Sequence, residues 1–442
     1  MIHTLHEHLM KNNKRLLATL GLAGFLVAGN AFAQEQPHVF KGARIIPIAG
    51  KPIENGVLVV QHGKITAIGT AGQVKVPKGA TEFDLTGKVL LPGLVDTHSH
   101  LGEGAGADAS APLQPDVRII DGINPISDSF KRALAGGITT VNVMPGSGHL
   151  MSGQTVYLKM REGNTIGELT FCEDPTSGIC GGMKMANGTN PMRPAPFPGT
   201  RAKSAAMARQ LFLDAQQYQG KIKAAKGKAD KMPEYKANLA PMVEILEGKR
   251  IVHFHTHRYD DVLTALRLQK EFGFKMVLHH VSEAWKAADE IAKAGIPASI
   301  ITLDSPGGKT EAVEIRNANG AVLEKAGVLT AFHTDDGITD SRLFIRSAAL
   351  GVRAGMSRDK ALEALTIAGA KMLELDKRVG SLEKGKDADF IVLNGEPFSV
   401  YTKVEQTWVE GKKRFDISNP EDKKFATGGY NTYQTDVHYH TH

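Results

Sequence analysis

Two histidines separated by one residue carry the first sign of chemistry in the sequence. His98 and His100 end the segment Asp96-Thr-His-Ser-His. In a β-strand, residues two apart face the same side, so the two imidazoles would supply half of a tetrahedral metal centre. The spacing alone is a weak signal, because it also occurs at 6–8 and 440–442. A metal site therefore requires further ligands close to this pair.

Further histidines and an acid recur at the ends of later apolar runs. His255 lies in an alternating His-x-His-x-His run, His280 ends another run, and Asp335 follows a third. If these runs are the strands of a barrel, their carboxyl ends meet at one mouth. The scattered side chains would then form one metal pocket.

The other histidines near these runs are assigned supporting positions. His253 lies two residues deeper than His255, so we expect it to be a hydrogen-bonded interior residue. His279 and His280 point to opposite faces, so at most one of them reaches the mouth. Histidines that lie deeper than a strand end, or outside the strands, are not expected to be ligands: His333, His149 and His38.

The elements that must position these residues form an alternating pattern. Helical patterns, such as 260–272 and 358–373 with Ser357 as N-cap, separate apolar β-branched runs. This alternation predicts an α/β fold with a (β/α)8 TIM-type barrel over 93–379. An open doubly wound sheet is the alternative, but a Gly-x-Gly-x-x-Gly fingerprint is missing after the first strand. The eight candidate strands are 89–100, 138–144, 169–173, 183–186, 251–257, 275–281, 297–303 and 328–334.

Both ends of the barrel region continue into short strands and turns. Residues 34–92 include a hairpin pattern around Gln61-His-Gly, and residues 380–430 repeat the pattern of short strands. Neither part has enough strands to bury its own face, so we expect one small β-sandwich domain built from both ends. Residues 431–442 are a polar tail.

The first 33 residues have the pattern of a secretory signal peptide. Basic residues precede an apolar run at 16–28, and Ala31-Phe-Ala33 offers a cleavage site before Gln34. The run is too short to span a bilayer comfortably, and no later run is long enough, so no membrane insertion is expected. The sequence thus predicts a periplasmic or secreted protein.

Composition excludes several classes of protein. The 442 residues are 42% hydrophobic and 23% charged, which is globular and argues against a disordered, fibrous or disulfide-dense chain. A net charge of +6 and 6% aromatic residues do not favour a nucleic-acid partner. We expect a small-molecule substrate, and a homo-oligomer stays open.

Two cysteines enclose a turn-rich segment. Cys172 and Cys180 could form one disulfide in an oxidising compartment. Two buried free thiols are the alternative.

At this point the chain resembles the amidohydrolase superfamily, in particular its imidazolonepropionase-like and Xaa-Pro or Xaa-Arg dipeptidase-like branch. The resemblance spans nearly the whole chain after the leader. The motifs that carry it are Leu-Pro-Gly-Leu-Val-Asp-Thr-His-Ser-His at 91–100, Ala-Gly-Gly-Ile-Thr-Thr-Val at 135–141, Val-His-Phe-His-Thr-His at 252–257, Leu-His-His-Val at 278–281, His-Thr-Asp at 333–335 and Gly-Ser-Leu-Glu-Lys-Gly-Lys-Asp-Ala-Asp at 380–389.

The resemblance implies a divalent metal, Zn²⁺, and a set of ligands. These are His98, His100, His255, His280 and Asp335. Two-metal relatives add a carboxylated lysine, and Lys184 between two methionines has the matching setting. Relatives often continue Gly-Glu-Asn where this chain has Gly-Thr-Asn at 188–190, which weakens the two-metal case. One or two ions therefore remain open.

The expected reaction is hydrolysis of a carbon–nitrogen bond in an amide or dipeptide by metal-activated water. Asp335 would be the general base, and His280 or the metal would stabilise the oxyanion. His257, Arg258 and Gln154 are candidates for substrate binding, although Arg258 could instead pair with a surface aspartate. A cyclic-amide hydrolase, a lactonase or a deaminase is an alternative on the same site. A non-catalytic metal-binding or solute-binding periplasmic protein is an alternative of another class.

Overall fold

The structure, a computed structural model, describes residues 36–104, 108–302 and 309–427. The expected leader at 1–33, with its cleavage site near Ala33 and Gln34, and the tail at 431–442 lie outside the described residues. Within the described ranges, no helix combines the length and apolar character needed to cross a membrane.

Strands from both ends of the chain pair in one eight-stranded sheet. Its order is β17-β16-β15-β5-β1-β2-β3, with β4 also paired to β1. The two ends meet where β5 and β15 run antiparallel, with Leu91 opposite Ile391. The strands are β1 (His38–Ile45), β2 (Ile53–Gln61), β3 (Lys64–Thr70), β4 (Thr81–Asp84), β5 (Val89–Pro92), β15 (Phe390–Leu393), β16 (Val404–Val409) and β17 (Lys412–Asp416).

The predicted hairpin around residue 62 is formed by β2 and β3. Gln61 pairs with Lys64, and the two turn residues His62 and Gly63 both have positive φ, 51° and 70°. Positive φ at both central positions is typical of the tight turns that match strand twist. The predicted β-sandwich is not shown, because the strands of both ends share a single sheet.

The middle of the chain supplies two further sheets. Strands β10 to β14 are parallel neighbours, with β8 antiparallel to β10, and β6, β7 and β9 form a separate three-stranded sheet. The strands are β6 (Leu94–Ser99), β7 (Ile138–Val143), β8 (Met151–Gln154), β9 (Val156–Lys159), β10 (Met183–Ala186), β11 (Val252–Thr256), β12 (Met276–His280), β13 (Ala298–Ile300) and β14 (Thr330–Phe332).

Helices follow most of these strands and cover them with apolar faces. Helix α5 (Tyr259–Phe272), for example, buries Val262, Ala265 and Leu268 in the main core. The helices are α1 (Asp128–Ala135), α2 (Ile166–Leu169), α3 (Arg201–Ala225), α4 (Ala240–Leu246), α5 (Tyr259–Phe272), α6 (Ala284–Ala294), α7 (Asn319–Lys325), α8 (Phe344–Arg353), α9 (Arg358–Leu365), α10 (Ile367–Met372) and α11 (Pro420–Thr427).

Three predicted elements differ from the structure. The run 89–100 is split at Gly93 into β5 and β6, because the strands before and after it join different sheets; a Cβ there would lie 2.2 Å from Thr139 Oγ1. Residues 169–173 are not a strand. Residues 166–169 instead form α2, which begins with a capping box of Thr165 and Glu168. The helix at 358–373 starts at the predicted cap Ser357 but is interrupted at Thr366.

The pairing of strands confirms an α/β fold but not a closed barrel. Among the described residues, no ladder of backbone hydrogen bonds joins β14 to β6 or closes the six-stranded sheet on itself. The ends of β6 and β14 are nevertheless close, since Thr334 donates both its N–H and its hydroxyl to the Asp96 carboxylate, at 3.1 and 2.5 Å.

Candidate metal centre and active site

The site-forming residues lie where parallel strands end. Strands β11 and β12 are in parallel register, with His255 opposite His279 and Thr256 opposite His280. Lys184 on β10 lies opposite His253. Because parallel neighbours present their carboxyl ends at one edge of a sheet, this edge collects polar side chains from distant parts of the chain.

The histidine pair of β6 is oriented by a backbone carbonyl. The ring centroids of His98 and His100 are 5.3 Å apart. The Nδ1 atom of His100 lies 2.8 Å from the carbonyl oxygen of Met144. A carbonyl can only accept, so this Nδ1 donates the hydrogen bond and Nε2 faces Asp335.

Asp335 follows β14 in a conformation that aims its carboxylate at this pair. Its φ is 49°, in the left-handed region that is costly for a residue other than glycine. The bond from Asp335 N to the carbonyl oxygen of His98, at 2.9 Å, holds it there. Its Oδ1 lies 3.0 Å from His100 Nε2 and 3.3 Å from His98 Nε2. Such strain persists where the surrounding structure fixes it, as at ligand-binding sites.

Lys184 is buried within the same group. It is 1% exposed, and its Nζ lies 3.0 Å from His98 Nε2 and 3.1 Å from Met144 Sδ. Burial lowers the pKa of Lys184 to about 7, although the charge of Asp335 acts in the opposite direction. Lys184 is therefore partly neutral near pH 7, as an amine must be to react with carbon dioxide.

The residues present fit a divalent cation. Ligand atoms of His98, His100 and Asp335 lie within 4.8 Å of one another. His100 Nε2 and Asp335 Oδ1 are 3.0 Å apart, and imidazole nitrogens and carboxylate oxygens are ligands that Zn²⁺ takes in proteins.

Unpartnered nitrogens near this group support the same fit. His255 Nδ1 and His280 Nε2 are buried without a hydrogen-bond partner among the described residues. Each such atom costs about 1–3 kcal/mol unless it is satisfied. The rings are close neighbours, since the centroid of His280 lies 4.8 Å from that of His98 and 4.4 Å from that of His255.

Electrostatics keep these imidazoles neutral. Burial, with the nearby charge of Lys184, lowers the pKa values of His98, His255 and His280 well below the usual value. Burial also raises the pKa of the Asp335 carboxyl, but the hydrogen bond and charge of His100 outweigh it and hold that pKa below its usual value. The site therefore presents neutral nitrogen donors and an ionised carboxylate, the protonation states that metal ligands require.

Deeper histidines form supporting chains of hydrogen bonds. The Nε2 atom of His253 lies 3.0 Å from the Tyr157 hydroxyl, and its Nδ1 lies 3.0 Å from His279 Nε2. The Nε2 atom of His333 lies 3.1 Å from His280 Nδ1. The structure thus places His253 in the interior. Both His279 and His280 lie beside His98, with centroids 5.0 and 4.8 Å away, and His280 also lies 4.4 Å from His255.

Two of the predicted substrate-binding residues lie away from this group. The guanidinium of Arg258 forms two bonds to the exposed Asp260, at 3.0 and 3.1 Å, so the surface ion pair is the better description. Gln154 donates to the carbonyl oxygen of Pro115 and borders a small cleft beside Cys180. Their sequence positions next to strand ends did not determine which way they face.

His257 does lie beside the group, and it has a neighbour that the sequence did not indicate. Ligand atoms of His255, His257 and Glu311 lie within 4.8 Å of one another. Glu311 was missed because it lies in a short 3₁₀ helix, Thr310–Ala312, well after β13, with no spacing that relates it to a strand end. Asn190, in the Gly-Thr-Asn segment, also reaches the site, with Nδ2 3.3 Å from His255 Nε2.

A disulfide joins Cys172 and Cys180 in the structure. It closes the loop after α2, beside the cleft that Gln154 borders. The bond is therefore a feature of the scaffold outside the histidine group.

Comparison with known proteins places these features in a family. A model of the amidohydrolase family matches residues 225–415. The crystal structure of an amidohydrolase from Thermotoga maritima MSB8 is 33% identical, with a TM-score of 0.79 over 86% of this chain and 100% of that one. The chain belongs to the amidohydrolase family. This confirms the predicted superfamily and the predicted class of enzyme, a hydrolase.

Sequence relatives of this amidohydrolase chain include proteins that are longer. Amidohydrolase tasK of Hapsidospora irregularis is 26% identical over 392 residues, which are 82% of this chain but 40% of tasK. An imidazolonepropionase of Bacillus cereus is 31% identical over 119 residues, 22% of this chain and 28% of that protein. The chain thus spans less than half the length of these curated relatives.

Proposed function

We propose that this amidohydrolase is an exported, metal-dependent enzyme that hydrolyses a carbon–nitrogen bond in an amide or dipeptide. The observation that carries the proposal is the approach of His98 Nε2 and His100 Nε2 to Asp335 Oδ1, at 3.3 and 3.0 Å. Family membership supports hydrolysis, and the donor set supports a metal.

His98, His100 and Asp335 would hold the first ion. The proposed reaction needs only this ion; a carboxylated Lys184 with His255 and His280 is one candidate position for a second. Imidazole and carboxylate donors in such sets suit Zn²⁺. A bound ion of this kind lowers the pKa of its water and polarises a carbonyl oxygen.

Asp335 is the chain's own proton acceptor in this proposal. Its carboxyl is held in the ionised form at neutral pH, and its side chain is 15% exposed, so a substrate or water can reach it. It can take the proton of the attacking water and return it to the leaving nitrogen. General acid–base catalysis of this type contributes about 10²–10⁴-fold.

His280 can serve as a hydrogen-bond donor to the substrate oxygen or as a ligand. A continuous chain runs from Thr97 to Ser299, His333 and His280, with successive distances of 2.6, 2.8 and 3.1 Å. If each member donates to the next, His280 Nε2 carries a proton that can bind a developing oxyanion. If the chain runs the other way, the same atom carries a lone pair for a metal.

The proposal also covers the architecture of the protein and its location, which strand pairing does not determine. We infer that the two central sheets are parts of one (β/α)8 barrel over 93–379, and that 34–92 and 380–430 form the small β-domain. The expected leader at 1–33 supports export to the periplasm or medium. Mass spectrometry of secreted material that begins at Met1 would contradict cleavage near Ala33 and Gln34.

Two alternative functions would use the same residues. A cyclic-amide hydrolase, a lactonase or a deaminase would use the same centre, because one fold hosts these chemistries. A non-catalytic metal-binding or solute-binding protein would keep the ligands without turnover. The strained, partly exposed Asp335 favours an enzyme, since a purely structural metal site is closed.

The test uses purified mature protein, stripped of metal and then reloaded with Zn²⁺. Wild type and Asp335→Asn are assayed on a panel of dipeptides, cyclic amides, lactones and aminated bases. We expect zinc-dependent turnover on an amide or dipeptide, and a loss of about 10²–10⁴-fold in Asp335→Asn. Full turnover by Asp335→Asn would refute the mechanism, and zinc binding without any turnover would favour the binding protein.

A further inference from the structure

A second group of buried ligating side chains lies next to the site described above. His255, His257 and Glu311 bring their ligand atoms within 4.8 Å of one another. The three residues are only 1%, 6% and 4% exposed. Glu311 takes no part in the proposed function, and His257 is only a candidate for substrate binding there, so their burial together in this group needs another explanation.

His257 is held with one nitrogen directed away from its support. Its Nδ1 lies 2.7 Å from the hydroxyl of Ser282, and the backbone carbonyl of Ser282 accepts a bond of 2.9 Å from Asn319. Its Nε2 is buried without a hydrogen-bond partner among the described residues. Metal-binding histidines typically have one nitrogen fixed by such a partner and the other free to coordinate.

Glu311 is fixed in the same manner through one oxygen. Its Oε2 accepts a bond of 2.7 Å from the backbone N–H of Thr189 and lies 3.7 Å from the guanidinium of Arg201. Gly188 permits this approach, since a Cβ there would lie 2.5 Å from the same oxygen. The other oxygen, Oε1, is buried and has no hydrogen-bond partner in the described part of the chain.

We propose that His255, His257 and Glu311 form a second divalent-metal site. Unpartnered, buried atoms of an imidazole and a carboxylate would be satisfied together by one cation. Two histidines and one carboxylate suit Zn²⁺ and other first-row transition metals, and three protein ligands leave a position open for water or a substrate group. The site is distinct from the centre at His98, His100 and Asp335.

An alternative position for a second ion is a carboxylated Lys184 with His255 and His280. Both arrangements require His255, but the new site requires Glu311 and His257, whereas the other requires Lys184 and His280. The two arrangements therefore predict different losses of metal on substitution. A third interpretation is that Glu311 only forms an ion pair with Arg201 and holds the Thr189 backbone.

The experiment counts bound metal in the full mature protein. Metal-free protein is titrated with Zn²⁺ in equilibrium dialysis and with Co²⁺ by absorption spectroscopy, which reports the ligand field without an assay of activity. The variants are Glu311→Gln, which keeps an acceptor for Thr189, and His257→Asn. Arg201→Gln and Lys184→Met are the controls, and circular dichroism and thermal melting verify that each variant is folded.

We expect wild type, Arg201→Gln and Lys184→Met to bind a second equivalent, and Glu311→Gln and His257→Asn to lose it. Retention of the second equivalent by both of these variants would overturn the proposal, as would its loss in Lys184→Met or in Arg201→Gln. If wild type binds a single ion that Glu311→Gln removes and Asp335→Asn retains, the new site stands while the proposed function fails.

Discussion

The Nε2 atom of His100 and the Oδ1 atom of Asp335 lie 3.0 Å apart, although the residues follow different strands, β6 and β14. The bond of His100 Nδ1 to the Met144 carbonyl oxygen directs Nε2 at the carboxylate. This pair is the core of the proposed metal centre, because it brings a nitrogen and an oxygen ligand from distant strands within reach of one ion.

A double-mutant cycle on this pair tests whether the two residues act as one unit. We expect His100→Asn and Asp335→Asn each to lower kcat/KM by about 10²–10⁴-fold. The double variant should lose little more than either single one, since residues that act together are strongly non-additive. The control pair is Arg258→Gln and Asp260→Asn, a surface ion pair that should change turnover little. Additive losses at His100 and Asp335 would mean that they act independently.

Carboxylation of Lys184 can be measured directly. The buried amine, with its pKa lowered to about 7, is mainly protonated below that pH and mainly neutral above it. Only the neutral amine reacts with carbon dioxide, so labelling should increase as the pH rises through about 7. We expect protein in ¹³C-bicarbonate to show a carbamate signal by NMR in wild type and in Lys286→Met, but not in Lys184→Met. A signal that persists in Lys184→Met would assign the carbamate elsewhere.

A buried charge cluster predicts a pH dependence of stability. Asp387 is 2% exposed and pairs with the buried Lys159, with Lys64 and with Arg378. Burial raises the pKa of the Asp387 carboxyl, but the charge of Lys159 and the bonds of its partners outweigh burial and lower that pKa to about 2.

A carboxyl with a lowered pKa in the folded state stabilises the protein above its ordinary pKa of about 4, and this stabilisation is lost as the pH falls towards about 2. We expect Asp387→Asn to reduce the free energy of unfolding at neutral pH by about 2–3 kcal/mol, because the lowering of the Asp387 pKa to about 2 corresponds to roughly this amount and Lys159 keeps a second partner, Asp389, at 3.0 Å. The difference between wild type and Asp387→Asn should shrink below pH 4. Urea denaturation at several pH values measures it, and a constant difference would contradict the assignment.

The disulfide between Cys172 and Cys180 should contribute to stability through its loop. The cysteines are separated by 8 positions. In a chain-entropy model, a disulfide that closes a loop of this length stabilises the folded state by about 2–3 kcal/mol. We expect Cys172→Ser combined with Cys180→Ser to lower the free energy of unfolding by this amount in non-reducing urea denaturation. Wild type under reducing conditions should match the double variant. Two free thiols in exported material, found by non-reducing mass spectrometry, would show that the bond does not form there.

Local patterns in the sequence were sufficient for the elements that carry ligands. The alternation of apolar residues gave β10 its observed bounds, Met183–Ala186, and placed Lys184 inside it. Position along the strand distinguished His253, two residues deeper, from His255, and the period of two put His98 and His100 on one face. These relations involve residues that are close in sequence. Strand geometry fixes their relative positions whatever the fold.

The tertiary structure alone decided which distant groups meet. The split of 89–100 at Gly93 depends on two different sheets, and the approach of Asp335 to His98 and His100 depends on strands far apart in the chain. Glu311 lies near His257 and against Gly188, although all three are distant in sequence. Sequence spacing records short-range geometry, whereas these contacts are set by the packing of segments far apart in the chain, and no local period encodes them.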